Sequence, residues 1–101
     1  MTALTDPEIA TALGALAGWT RDGDTLVAAY RRQDWTDALA FVNRIAEEAE
    51  RRDHHPDLCV TGYRSVTIRL TTHSEGGITH RDINLARWIQ DAAAAPVTGQ
   101  G

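Results

Sequence analysis

Three of the four histidines of this chain, His54, His55 and His73, fall at joints between predicted elements rather than inside them. Imidazole exchanges protons near neutral pH, so histidines gathered at one end of a fold can serve as general acid and general base. Asp82 lies in the first predicted turn of the last helix, just beyond Gly76-Gly77. Glu50 precedes His54 by four residues, late in a long predicted helix. A short hairpin and a tight turn would bring His54, His55, His73 and Asp82 to one end of a sheet. Each residue also has a plainer reading. An adjacent histidine pair at a helix end is commonly a C-terminal cap, and His73 alone reads as a strand-end surface residue. Asp82, three residues after Thr79, suits helix capping. Glu50 reads equally as an exposed helical acid, Trp19 as a core anchor and His80 as surface.

Other chemistries fare worse. Adjacent histidine side chains diverge, and the chain has no helical i, i+4 histidine pair and no Cys-x-x-Cys element, so no metal site is expected. No Ser lies in a Gly-x-Ser-x-Gly context. All ten basic residues are Arg, which excludes a Schiff-base lysine or a phosphate-binding P-loop lysine. Cys59, the one cysteine, lies in an alternating strand and is expected to be a buried, inert thiol.

The elements that must position these groups follow from apolar spacing. Thr5, with Glu8 three residues on, opens a helix carrying Ile9, Leu13 and Leu16 until Gly18. Trp19–Arg21 and Thr25–Arg32 read as a hairpin around Asp22-Gly23-Asp24. Asp34 caps a long helix with a stripe of Trp35, Leu39, Val42, Ala46 and Ala49, widened by Ala38, Phe41 and Ile45. Its charged residues, Glu47, Glu48, Glu50, Arg51 and Arg52, read as a solvated face. Pro56 closes that helix and holds His55 out of the α region. Leu58–Thr61 and Ser65–Thr72 are two more strands, the second alternating Val66, Ile68 and Leu70 with Thr67, Arg69 and Thr71. His73 shares the parity of the polar set. Two glycines after Ser74 are free to take positive φ. Thr79 begins the last helix, which carries Ile83, Leu85, Ala86, Ile89 and Ala93 before Pro96, and the tail from Val97 is expected to fray.

The order is α-β-β-α-β-β-α. It predicts an α+β fold: a single domain spanning 1–101, ordered over about 5–95, with one four-stranded antiparallel sheet and three helices packed on one face. The wide apolar arc of the last helix favours self-association.

Composition agrees with a small globular domain, at 101 residues with 43% apolar and 24% charged content. A net charge of -4 argues against nucleic acid as a partner. No run of residues has the length of a membrane span, and Met1–Glu8 lacks the basic and apolar regions of a signal peptide. The expected compartment is the cytoplasm.

Taken jointly, Glu50, His54-His55-Pro56, Tyr63, His73 and Asp82, at their spacings, resemble the signature of the pterin-4a-carbinolamine dehydratases. The stretch Arg81-Asp82-Ile83-Asn84-Leu85-Ala86 is similar to that family's final helix, and the likeness runs from about Leu16 to Ile89. Two departures stand out. Asp57-Leu58 replaces an acidic residue followed by an aromatic, and Trp35 stands where Phe is expected.

The resemblance implies dehydration of 4a-hydroxytetrahydrobiopterin, or a related pterin, to the quinonoid dihydropterin, without metal or cofactor. It implies that His54, His55 and His73 line the pterin site and that Asp82 orients one of them. Glu50 and Trp19 would supply hydrogen bonding and ring packing, with Pro56 structural at the site. A homodimer or homotetramer is implied, as is a place beside a pterin-dependent hydroxylase. Members of the family also act as dimerisation cofactors for transcription factors, and degenerate relatives as assembly chaperones. A chaperone-type relative is free to lose the histidines, and all are present here. For a partner-binding role, the apolar face of the last helix is the expected surface.

Overall fold

Thr5 starts the first helix in the manner its spacing predicts. In the computed structural model, which describes residues 2–94, its hydroxyl accepts from the Glu8 N–H at 3.3 Å and its own N–H donates to Glu8 Oε1 at 2.8 Å. Such caps contribute about 1 kcal/mol. The helix, α1 (Asp6–Leu13), ends earlier than the predicted stop at Gly18, because residues 14–18 leave the α-helical path before the positive φ of Gly18. Leu16 is nonetheless buried.

Strands β1 (Trp19–Asp22) and β2 (Thr25–Arg31) form the predicted hairpin, with Asp22 opposite Thr25 and Gly23 at φ 61 in the turn. Helix α2 (Trp35–Arg52) starts at Asp34, whose carboxylate accepts from the Asp37 N–H at 2.8 Å. Strands β3 (Asp57–Thr61) and β4 (Ser65–Leu70) follow, joined through Gly62 and Tyr63, both at positive φ. A short 3₁₀ turn, His73–Glu75, leads to α3 (His80–Ala94). Ala95 and the tail from Val97, predicted to fray, lie outside the described residues.

The chain is thus an α+β unit of order α-β-β-α-β-β-α, with one antiparallel sheet in the order β1-β2-β4-β3. Leu26, Ala28, Val66, Ile68 and Leu70 share the helix-covered face of the sheet and meet Ile9, Phe41, Ile45, Leu85 and Ile89 from the three helices.

Three sequence expectations about burial are corrected. On α2 the widening residues Ala38, Phe41 and Ile45 are the buried stripe, while Trp35 is 52% and Leu39 37% exposed and Ala46 lies on the surface. The helix is rotated toward Phe41 because that ring packs edge-on against Tyr30 at 5.5 Å and lies beneath the Arg32 guanidinium at 4.3 Å. On α3 the wide apolar arc is not free: Ile83, Leu85, Ala86, Ile89 and Ala92 are buried within this one chain. Cys59 is exposed, since β3 is an edge strand and Cys59 projects to the uncovered face while Leu58 and Val60 face inward.

Candidate functional site

The site begins at the C-terminus of α2. Asp53 takes a left-handed conformation, φ 51 and ψ 45, which ends the helix. The His54 N–H then donates back to the Ala49 carbonyl at 3.0 Å. The Arg81 guanidinium holds the same turn from α3, donating to the Asp53 carbonyl at 2.6 Å and the Arg52 carbonyl at 3.1 Å. A cation at otherwise unpaired helix-end carbonyls is favourable. Consecutive side chains then diverge: His54 is buried and His55 exposed.

Sheet register delivers the next component. Leu58 of β3 lies opposite Ile68 of β4. Four residues before Leu58 is His54, and four after Ile68 is Thr72, so the antiparallel path carries both toward the same end of the sheet. There α3 begins. The Thr79 N–H donates to Asp82 Oδ2 at 2.9 Å, the cap expected from their spacing, and the Arg81 N–H donates to Thr79 Oγ1 at 3.2 Å.

Asp82 is fully buried and does more than cap. Its Oδ2 also accepts from the Thr72 hydroxyl at 2.7 Å, and its Oδ1 lies 2.5 Å from His54 Nε2. Since the single Thr72 proton goes to Asp82, the Thr79 hydroxyl must donate across the 2.9 Å Thr72–Thr79 contact. With the carboxylate as acceptor, the His54 proton resides on Nε2 and Nδ1 is left to accept or release another. The imidazole is fixed in orientation and tautomer.

His55 Nε2 lies 2.8 Å from Glu50 Oε1, with both side chains largely in solvent. His73 is exposed at the start of the 3₁₀ turn rather than at the end of a strand. It adjoins Thr72 in sequence, which sets it at the His54–Asp82 end. Of the two glycines after it, Gly76 takes positive φ and Gly77 instead pairs with Thr72. Pro56 is half-buried between the histidines and β3. Trp19 stands apart. It is a buried core residue on β1 that donates its indole N–H to the Tyr30 hydroxyl at 2.8 Å. Burial raises the Tyr30 pKa, and the Trp19 hydrogen bond partly offsets that rise. The fold therefore joins His54 to Asp82 and His55 to Glu50, and leaves Trp19 in the core.

Thr72, Thr79 and Arg81 are the residues that the sequence reading did not single out for the site. The Thr79-x-x-Asp82 spacing announced the cap but not its second use. Three of the charged residues of α2 were also more than a solvated face. Glu48 is buried and held by Arg51 at 3.1 Å and Arg52 at 2.7 Å. The hydrogen bond from Arg51, then that from Arg52, lowers its carboxyl below the ordinary range.

Beside His54 is a small recess of about 150 Å³ lined by Arg52, His54, Arg81 and Asn84. Among the described residues no three His, Cys, Asp or Glu side chains converge to hold a metal ion, and no helix is long and apolar enough to cross a membrane. The arrangement offers proton exchange by oriented imidazoles.

Comparison with known proteins bears on this geometry. Residues 2–92 match the family described as Pterin 4 alpha carbinolamine dehydratase. Relatives that carry the name "Putative pterin-4-alpha-carbinolamine dehydratase" occur in Koribacter versatilis, 48% identical over 82% of this chain and 87% of the relative, and in Mycobacteroides abscessus, 51% identical over 88% and 94%. A solved structure titled a transcriptional coactivator/pterin dehydratase from Brucella melitensis has a TM-score of 0.85 at 35% identity, covering 93% of this chain and all of that one. A pterin dehydratase-like protein described as a RuBisCO assembly factor in the alpha-carboxysome shares the fold, with a TM-score of 0.61 at 18% identity over 77% of this chain and 89% of that one. By the match across nearly its whole length, the chain belongs to the pterin-4-alpha-carbinolamine dehydratase family.

Proposed function

We propose that the protein dehydrates 4a-hydroxytetrahydrobiopterin, or a closely related pterin, to the quinonoid dihydropterin by histidine acid–base catalysis, supporting tetrahydrobiopterin recycling in the cytoplasm. The observation that supports this reading is the buried His54–Asp82 pair, a histidine hydrogen-bonded to a fully buried acid, with the exposed His55 next to it in sequence. In the reaction the C4a–O bond breaks as its oxygen takes a proton and leaves as water. The electron pair of the neighbouring ring nitrogen forms the new C=N bond, and that nitrogen gives up its proton to a base. One of His54 and His55 donates to the leaving hydroxyl, with His73 as the partner base. Each such transfer contributes on the order of 10²–10⁴-fold. Asp82 and Glu50 orient His54 and His55, Pro56 shapes the turn from the histidines into β3, and Trp19 acts through the core.

Stopped-flow absorbance on freshly generated 4a-hydroxytetrahydropterin tests the reading, with the uncatalysed rate in buffer subtracted. The wild-type protein should accelerate dehydration and His54→Ala should lose most of that acceleration while remaining folded by circular dichroism. A folded wild-type protein that gives only the buffer rate would overturn the enzymatic reading.

A second reading, partner binding or assembly into a homodimer or homotetramer, is favoured by the exposed Trp35 and Leu39 on α2. It belongs to that face and not to α3, whose apolar arc is already covered. Sedimentation of Trp35→Glu against wild type tests it, with a shift to a smaller species expected.

A further inference from the structure

The recess beside His54 has a one-sided chemistry. Its lining residues are two arginines, Arg52 and Arg81, with His54 and Asn84, and include no acidic residue. Asp82 contributes nothing to it, being fully buried and turned to His54, Thr72 and Thr79. Arg81 uses Nη2 on the Arg52 and Asp53 carbonyls, which leaves its Nε–H and Nη1–H groups free among the described residues. Arg52 uses Nε on Glu48, leaving both of its Nη groups. Arg87, with no ion-pair partner among the described residues, lines the adjoining recess of about 370 Å³ together with Arg52, Asn84, Trp88 and one acidic residue, Asp91. In a chain of net charge -4, this is a concentration of unsatisfied donors.

Size narrows the occupant. At about 150 Å³ the recess falls below the several hundred Å³ of pockets that enclose whole drug-sized ligands. It admits one small group, and its donors select an oxyanion, which guanidinium forks bind in a bidentate manner.

We propose that this recess is a binding subsite for an oxyanion, a phosphate or carboxylate carried on the side chain of the pterin or supplied as a free anion. The assignment to a pterin side chain rests on the function proposed above; the oxyanion chemistry does not. Arg52 and Arg81 would clamp the anion, Asn84 would donate a further hydrogen bond, and Arg87 would draw it in from the adjoining recess.

The test uses inorganic phosphate as the probe and needs no turnover. Phosphate is titrated at constant ionic strength while the arginine Nε–Hε signals are followed by NMR. Saturable shifts of the Arg52 and Arg81 signals are expected. Asn84→Asp, which places a carboxylate at an exposed position of the rim, should weaken phosphate binding about tenfold or more. Arg52→Gln should do the same, with its melting curve recorded to separate binding from folding. The absence of saturable shifts in folded wild-type protein overturns the subsite, whatever the dehydration assay gives. Phosphate binding accompanied by a lower KM for a pterin with a phosphorylated side chain, lost in Asn84→Asp, supports the substrate assignment. Phosphate binding with equal KM for neutral and phosphorylated pterins supports the subsite and assigns it to a free anion. Phosphate binding in a protein that does not accelerate dehydration refutes the proposed enzyme and leaves the subsite standing.

Discussion

The Asp82 carboxylate that meets His54 at 2.5 Å accepts, through its other oxygen, the Thr72 hydroxyl at 2.7 Å. One buried group therefore ties the end of β4, the first turn of α3 and the turn after α2 together. Substitution should affect both stability and chemistry. Asp82→Ala removes the acceptor of three donors and should cost about 3 kcal/mol in urea denaturation. Asp82→Asn keeps the shape and is expected to fold with a lowered midpoint, while its dehydration rate falls about 10²-fold by stopped flow. Wild-type rate and stability in Asp82→Asn would remove Asp82 from both roles.

A second buried ion pair has no part in the site and sets how the fold responds to acid. Arg32 donates to Asp37 from Nε at 3.1 Å and from Nη2 at 3.3 Å, and reaches the Ala93 carbonyl of α3 at 3.0 Å, with both side chains about nine-tenths buried. Burial pushes the Asp37 carboxyl up, but the Gln33 N–H and the Arg32 hydrogen bonds and charge outweigh it, and the group is held below its ordinary range. A depressed carboxyl stabilises the fold above its unfolded pKa, and that contribution disappears as pH falls through the lower, folded value. Glu48 acts in the same direction. Urea midpoints should therefore be flat from neutrality to about pH 5 and drop below about pH 4. Asp37→Asn should lose about 3 kcal/mol at pH 7 and show a shallower acid limb. Parallel acid limbs in the two proteins would rule out Asp37 as a source of the pH dependence.

Cys59 gives a chemical check on the sheet. Its thiol lies exposed on the uncovered face of the edge strand β3. One equivalent of a disulfide reagent such as DTNB should react without denaturant, at a rate within about tenfold of the unfolded chain's. A thiol that reacts only after unfolding would mean that this face is covered.

The parts legible in the sequence were those fixed by local chemistry. Thr5 and Asp34 cap the helices they were read to cap, the Asp22–Asp24 turn closes the first hairpin, and Val66, Ile68 and Leu70 face the core as their alternation requires. The Asp82 cap was legible for the same reason. What escaped depended on contacts distant in sequence. The rotation of α2 is set by Phe41 against Tyr30 and Arg32, and alternation along β3 identifies two faces without saying that Cys59 takes the open one. Arg32–Asp37 joins residues five apart across a helix start, with Ala93 sixty-one residues away as the third member. Spacing alone does not reveal that closure.

The double duty of Asp82 bears on how relatives of this chain are to be read. A residue that caps a helix and anchors a strand is retained under selection for folding alone, so a descendant that had abandoned pterin chemistry would still keep it. His55 and His73, exposed and outside the core, carry no such structural obligation. On the function proposed above, their presence or loss, rather than that of the buried aspartate, would be the mark by which a working dehydratase is told from a scaffold adapted to other work.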